Sequence, residues 1–389
     1  MKIQKVLSLI PAELLESLAL DSKVDHFTKK LQGEVIFKLL LHCIVSHKDN
    51  SLRVMQSAYE SLIFKTINKK YHQGKISYSS ISERLSAIKV SYFEKLYSNC
   101  VDLYKAHFSK EQVGYIRFDS TIVALSCKLL KVGYRINGGD AENYRQVKFT
   151  VGYSSIPELV SFYIEQTNSS ENVSLKNTIL TQSQKEKKRI KIFDRGISSR
   201  ATYDEFTDND IQFISRISPG AKRDIVKDTD TILPVETETL NIVNDHWCQL
   251  YGDKGKRPKH LVRCIEAVRK ETGETLLFTT NIDSLSPEEI TVLYKRRWDI
   301  EVFFKLLKQL LNFKHFINRS ENGIKVVMYV TMIASILLIA YKKEYGINGY
   351  KIAKQQFTQE LEMEIIKQLI QMCGGNPELL NDILSSNSS

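Results

Sequence analysis

The chain has 389 residues, 42% hydrophobic and 26% charged, a folded composition long enough for about two or three domains. A formal net charge of +10 and a pI near 9.1 point to a polyanionic partner, nucleic acid ahead of an acidic membrane surface. Cys43, Cys100, Cys127, Cys248, Cys264 and Cys373 are too scattered for a zinc site or a secreted disulfide framework, and no histidine pair has metalloenzyme spacing, so reduced thiols in a cytoplasm are expected.

The N-terminal "MKIQKVLSLIPAELLESLAL" starts basic and apolar but carries Glu13 and Glu16 and lacks a cleavage region, so it is not read as a signal peptide. Residues 1–110 read as helical. "EVIFKLLLHCIVSH" has helical apolar spacing, and "SYSSISERLSAI" offers serine N-caps before a helix with Ile81, Leu85 and Ile88 on one side. This region is a DNA-binding domain or a plain helical scaffold.

Near residue 114 the period changes. "GYIRFDSTIVALS", "QVKFTVGYSS" and "ELVSFYIEQT" are β-branched and aromatic, with a turn at Ile156–Pro157, and predict an antiparallel meander. A helix over 171–183, a short buried strand "IKIF" ending in Asp-Arg-Gly, and a helix–strand unit ending in "IQFISRI" follow. Three strands and then helix–strand alternation is the order of a ribonuclease H-like (retroviral-integrase-like) α/β core over 111–217 and 275–345. Residues 218–274, with short β-prone pieces, read as a β-rich insertion, and 346–389 as a C-terminal helical region with a polar tail. Basic runs at 185–191 and 254–263 are candidates for tracking a nucleic-acid backbone. "VVMYVTMIASILLIAY", 326–341, is short for a membrane span and closely bracketed by lysines, so a buried core helix is expected and no membrane partner.

Three acids stand where a core would not want them. Asp119 lies inside the first strand, Asp194 ends "IKIF", and Glu301 sits in an apolar helix begun by Ser286 and Pro287. Each alone has a structural explanation: a bond to Thr121, a cap on the next helix, a pair with Lys305. Together, two adjacent central strands and a helix packed across them would bring all three close. Converging carboxylates repel unless cations neutralise them, and oxygen ligands suit two Mg²⁺ or Mn²⁺ ions. Tyr294, Arg297, Glu301 and Lys308, at offsets 0, 3, 7 and 14, fall within about 60° on one continuous helix. Arg297 and Lys308 would grip phosphates and Tyr294 add a hydroxyl or stacking contact. Trp298 is expected to pack this helix against the sheet.

The stretch "YKRRWDIEVFFKLLK", with "FDST" around Asp119 and "FDRG" around Asp194, resembles the DDE transposases of insertion-sequence (IS) family four, marked by Y-x2-R-x3-E-x6-K. The resemblance covers about 110–345. It implies a bacterial, nucleoid-associated enzyme with Asp119, Asp194 and Glu301 as catalytic metal ligands, working as a homodimer on terminal inverted repeats and target DNA. It also implies cut-and-paste cleavage and strand transfer, with hairpin ends and a base flipped against an aromatic wedge. Trp247, in the insertion, is the candidate wedge or else a core tryptophan. Arg195 is a candidate DNA contact or a structural ion pair. The rival readings are a ribonuclease H-like nuclease or resolvase without strand transfer, a non-catalytic DNA-binding descendant, and a membrane protein built on 326–341.

Overall fold

A computed structural model describes residues 2–47, 51–68, 74–109, 113–125, 133–135, 145–164, 170–183, 188–252, 255–311, 318 and 320–379. Among the described residues seven helices come first: α1 (Lys2–Leu7), α2 (Ala12–Ser22), α3 (Gly33–Ser46), α4 (Leu52–Glu60), α5 (Leu62–Ile67), α6 (Tyr78–Ala87) and α7 (Val90–Phe108). Then follow β1 (Tyr115–Leu125), β2 (Tyr134–Arg135), β3 (Arg145–Tyr153), β4 (Pro157–Tyr163), α8 (Glu171–Ser183), β5 (Ile190–Phe193), α9 (Ala201–Asp208) and β6 (Phe213–Ile217). Strands β7 (Arg223–Asp228), β8 (Val235–Glu236), β9 (Leu240–Leu250), β10 (Val262–Arg269) and β11 (Thr275–Thr280) precede α10 (Pro287–Lys295), α11 (Trp298–Leu310), α12 (Glu321–Tyr345) and α13 (Tyr350–Met372). The chain divides into two compact units, Met1–Lys110 with Lys128–Val132 and Lys305–Ser389, and Glu111–Cys127 with Gly133–Phe304.

In the helical unit α12 packs against α1, α3, α6, α7 and α13. It is the one described helix long and apolar enough to cross a membrane, yet every residue from Val326 to Tyr341 is buried in protein, as a core helix requires. Thr331 and Ser335 return their hydroxyls to carbonyls of their own helix, so no polar group in that stretch is stranded. Ser77 caps α6 by accepting the Ser80 N–H, as its sequence predicts.

The second unit is a mixed α/β assembly on one mostly antiparallel sheet, ordered β2-β3-β1-β5-β6-β11-β10-β9-β7, with β4 also on β3 and β8 on β9. β1 is antiparallel to β3 but parallel to β5, and β5 is parallel to β6. Strand alternation sends neighbouring residues to opposite faces. Phe118, Phe193, Phe213 and Leu277 pack with α8 and α9, while Ile192, Ile214 and Phe278 pack with Ile290 and Tyr294 of α10. The strands of 218–274 extend the core sheet, because β10 pairs with both β9 and β11.

Several basic residues read as surface are built into the fold. Arg189 is paired with Glu158 at 2.8 Å, and Lys191 is fully buried with its ammonium on the Arg189 carbonyl. Arg263 is buried against Asp245, and Lys259 pairs with Asp208. Burial and carboxylate partners thus remove Arg189, Lys191 and Arg263 from any surface that could track a backbone. Lys188, Lys256 and Arg257 of the two runs stay exposed, while 185–187 and 254, Cys127, and the polar tail beyond 379 lie outside the described residues. Cys43, Cys100, Cys248, Cys264 and Cys373 are free thiols.

Candidate active site

β1 and β5 run parallel with Phe118 opposite Phe193, so the residue after each, Asp119 on β1 and Asp194 just past the end of β5, comes at the same level. Neighbouring strands lie about 4.8 Å apart. Asp119 accepts the Ser120 N–H at 2.7 Å, and Asp194 accepts the Arg195 N–H at 2.7 Å. Neither the predicted bond to Thr121 nor a cap on α9, which starts only at Ala201, accounts for these acids.

The helix expected over 294–308 is interrupted. α10 ends at Lys295 and α11 starts at Trp298. Across the break, hydrogen bonds run to i−3: Arg296 to Leu293, Arg297 to Tyr294, Asp299 to Arg296 and Ile300 to Arg297. Such bonds tighten the turn. The Arg117 guanidinium takes the Arg296 carbonyl at 3.3 Å and the Asp299 carboxylate at 2.6 Å, which stabilises the break from β1. The four signature residues are therefore not one straight stripe.

Around this break the acids are linked. The Tyr294 hydroxyl donates to Asp194 Oδ1 at 3.2 Å. The Arg297 guanidinium pairs with Glu301 and stands 4.0 Å from Asp119 Oδ2. Glu301 is thus paired with Arg297 on its own segment rather than with Lys305. Burial pushes the Asp119 carboxyl up to about 6; the Ser120 N–H and Arg297 oppose that rise, and Glu171 and Asp194 add to it. Burial, and then the Asp194 charge, push the Tyr294 phenol up as well, so it is a proton donor across the physiological range. Among the described residues no three His, Cys, Asp or Glu side chains form a ready-made metal cage. An internal cation, Arg297, lies among the acids instead.

Lys308 lies seven residues after Glu301 on α11, in the part assigned to the helical unit. Arg195 is exposed on the turn after β5. Trp247 is half-buried on β9, opposite Arg263 and Lys227, and β9 stands five strands from β1. At about 4.8 Å per strand that is roughly 24 Å, so the sheet does not bring it to the acids. Trp298 does not pack against the sheet. It opens α11 directly after the break and is 62% exposed, while Ile300, Phe303 and Phe304 take the buried face.

Sequence reasoning missed two residues, Glu171 and Arg117. Glu171, the first residue of α8, looks like an ordinary first-turn acid, yet it acts electrostatically on Asp119 more strongly than Asp194 does. A Cβ on Gly196 would fall 2.1 Å from Glu171 Oε2, so a side chain there would push that carboxylate aside. Arg117 is only 3% exposed, and a charge at alternate spacing from Asp119 in an apolar strand was the clue to its role.

A family profile described as Transposase DDE domain matches residues 118–337, a span that holds both aspartates, Glu301, Tyr294, Arg297 and Lys308. The chain belongs to the DDE transposase family. It is similar to a Sinorhizobium fredii protein that carries the name transposase y4zB, at 28% identity over 149 residues, 38% of this chain and 41% of that one. It also resembles the probable transposase for insertion sequence element IS5377 of Geobacillus stearothermophilus, at 25% over 192 residues, 49% of this chain and 48% of the relative. A Synechocystis protein named as a transposase for insertion sequence element IS4SA shares 37% over 67 residues, 17% of this chain and 20% of its own. The matches span less than half of each relative's length.

Proposed function

We propose that this DDE transposase family member is the transposase of an IS family four element. In this reading it recognises terminal inverted repeats, cuts the phosphodiester backbone at the element's ends and joins them to target DNA, with hairpin ends as the intermediate route. The single observation that carries the reading is the gathering of Asp119, Asp194 and Glu301 around Arg297 and Tyr294, in the spacing Tyr-x2-Arg-x3-Glu. The name of the relative tied to IS4SA supports the group. The strand order β4-β3-β1-β5-β6, with only the last two joints parallel, supports a ribonuclease H-like core.

The donor set fits hard divalent cations. Its atoms are carboxylate oxygens, and Asp119, raised chiefly by burial, also has the carboxylates of Glu171 and Asp194 acting on it. Asp119, Asp194 and Glu301 would hold two Mg²⁺ or Mn²⁺ ions, which supply Lewis-acid activation of water and stabilisation of the leaving oxygen. The residues of the chain do the rest. Arg297, freed from its carboxylates, and Lys308 bind phosphate oxygens, and the Tyr294 hydroxyl orients Asp194. Trp298, exposed beside Arg297, offers a stacking face for an unpaired base, a role Trp247 could share only if the DNA reached across the sheet. Arg195 adds an exposed cation at the Asp194 turn. The protein would act in the bacterial cytoplasm as a homodimer pairing two ends, with residues 1–110 as the end-binding domain.

The test is a strand-transfer assay with the element's terminal-repeat DNA and Mg²⁺. Joined product that disappears in Glu301→Gln supports the proposal. Cleavage with no joined product assigns a nuclease instead, and neither cleavage nor joining refutes both.

A further inference from the structure

The signature residues do not reach the aspartates by helical periodicity alone, because the helix is broken between Tyr294 and Glu301. Something has to set the angle of that break. The candidates within it are poor: "KRRW" has no proline or glycine, and all four residues are compatible with an uninterrupted helix. The cause must come from outside the segment.

Arg117 is that outside contact. It lies on β1 two residues before Asp119 and therefore on the same face of the sheet. Its side chain is 4% exposed. One guanidinium nitrogen donates to the Arg296 carbonyl and the Asp299 carboxylate, on the two sides of Arg297. The other donates to the Ser154 carbonyl just beyond β3. The guanidinium also lies 5.1 Å from the Tyr115 ring centre and 5.3 Å from that of Tyr153. Tyr153 in turn stacks on Phe303 of α11 at 5.0 Å. One buried cation thus joins the strand that carries the first acid to the turn that carries Arg297 and to the first turn of the helix that carries Glu301.

We infer that Arg117, with Asp299 as its partner, is a positioning residue of the candidate active site: it holds the tightened α10–α11 turn so that Arg297 stands between Asp119 and Glu301. Only arginine fits this place. Its planar fork serves a carbonyl, a carboxylate and a second carbonyl from one buried point, and a lysine ammonium at the same depth reaches fewer of them. The inference rests on the transposase reading for its functional consequence, but the geometry of the break can be read without it.

The experiment uses the full-length protein labelled with 5-fluorotryptophan. It has two tryptophans, so two ¹⁹F resonances, with Trp298 assigned by Trp298→Phe. Trp298 starts α11 beside the break, and Trp247 lies on β9 and serves as the internal control. In Arg117→Met and in Asp299→Asn the Trp298 resonance is expected to move or broaden while that of Trp247 stays, and Arg117→Lys should recover only part of the native position. Strand transfer should fall about tenfold to a hundredfold in Arg117→Met, the scale of a misplacement near 1 Å. Asp299 is half exposed, so Asp299→Asn keeps the test open should Arg117→Met fail to fold. An unmoved Trp298 resonance in Asp299→Asn overturns the inference. So does wild-type strand transfer in a well-folded Arg117→Met. A moved resonance in a protein whose wild type joins no DNA leaves the clamp standing and refutes the transposase reading alone.

Discussion

Two arginine–aspartate clusters sit in the same sheet and behave in opposite ways. Asp245 is buried, and burial pushes its carboxyl up. Arg263 at 2.8 and 2.6 Å and Thr231 at 2.8 Å outweigh that and hold it below the usual carboxylate range. The remaining Arg263 nitrogen is taken up by the Leu285 carbonyl at 2.6 Å. Asp119 is a quarter exposed, has one backbone N–H and a guanidinium 4.0 Å away, and stands at about 6. A structural pair satisfies both partners. At the candidate site burial outweighs the Ser120 N–H and Arg297, and the neighbouring Glu171 and Asp194 carboxylates add to the rise.

The comparison can be broken from either side. At the site, Glu301→Gln should reduce strand transfer about a thousandfold, roughly 4 kcal/mol of transition-state stabilisation, with the melting temperature unchanged. An equal loss of activity and of stability would make Glu301 a structural acid like Asp245. In the other cluster, Asp245→Ala should destabilise the fold by about 3–5 kcal/mol, because it strands a buried guanidinium. Denaturant unfolding measures this, and a loss below about 1 kcal/mol would show that Arg263 finds another partner.

Acid titration sharpens the contrast. The Asp119 carboxyl is raised, so the stability its protonated form contributes is complete below about 4 and lost as pH rises through about 6. The shift corresponds to about 3 kcal/mol at neutral pH. With chelator present, melting temperature should therefore drop between about pH 4 and 6.5, the drop should vanish in Asp119→Asn, and Mg²⁺ should restore the loss. Asp245, held low, has the opposite sign: its contribution is present above about pH 4 and fades on acidification. A pH profile that is the same in Asp119→Asn as in the wild type would contradict the assignment of charge at the site. The smallest effect is expected at Gly196. Gly196→Ala must displace the flexible Glu171 carboxylate, and a loss below about 1 kcal/mol in stability is expected.

The sequence made the acids legible because each broke a local rule: a carboxylate in a strand, another at a strand end, a third in an apolar helix. The meander and the Ser286 capping box were legible for a similar reason, since alternation, turns and caps are written in neighbouring residues, whereas the β1–β5 neighbourhood was expected from the ribonuclease H-like strand order. The helix break was not. Its cause, Arg117, is 179 residues from Arg296, and no window along the chain contains both. The exposure of Trp298 follows from that break. The pairing of β10 with β11, which joins the insertion to the core sheet, was equally hidden, since strand partners across a sheet leave no mark in local periodicity.

Iron-directed backbone cleavage tests the central claim most directly. The protein is loaded with Fe²⁺ in place of Mg²⁺ and treated with ascorbate and peroxide, and the chain is mapped for hydroxyl-radical cuts, which fall close to the bound metal. The account predicts three clusters of cuts, around residues 119, 194 and 301, that disappear together in Asp119→Asn. Cuts at only one of these segments, or at sites elsewhere in the chain, would show that the three acids do not share a cation.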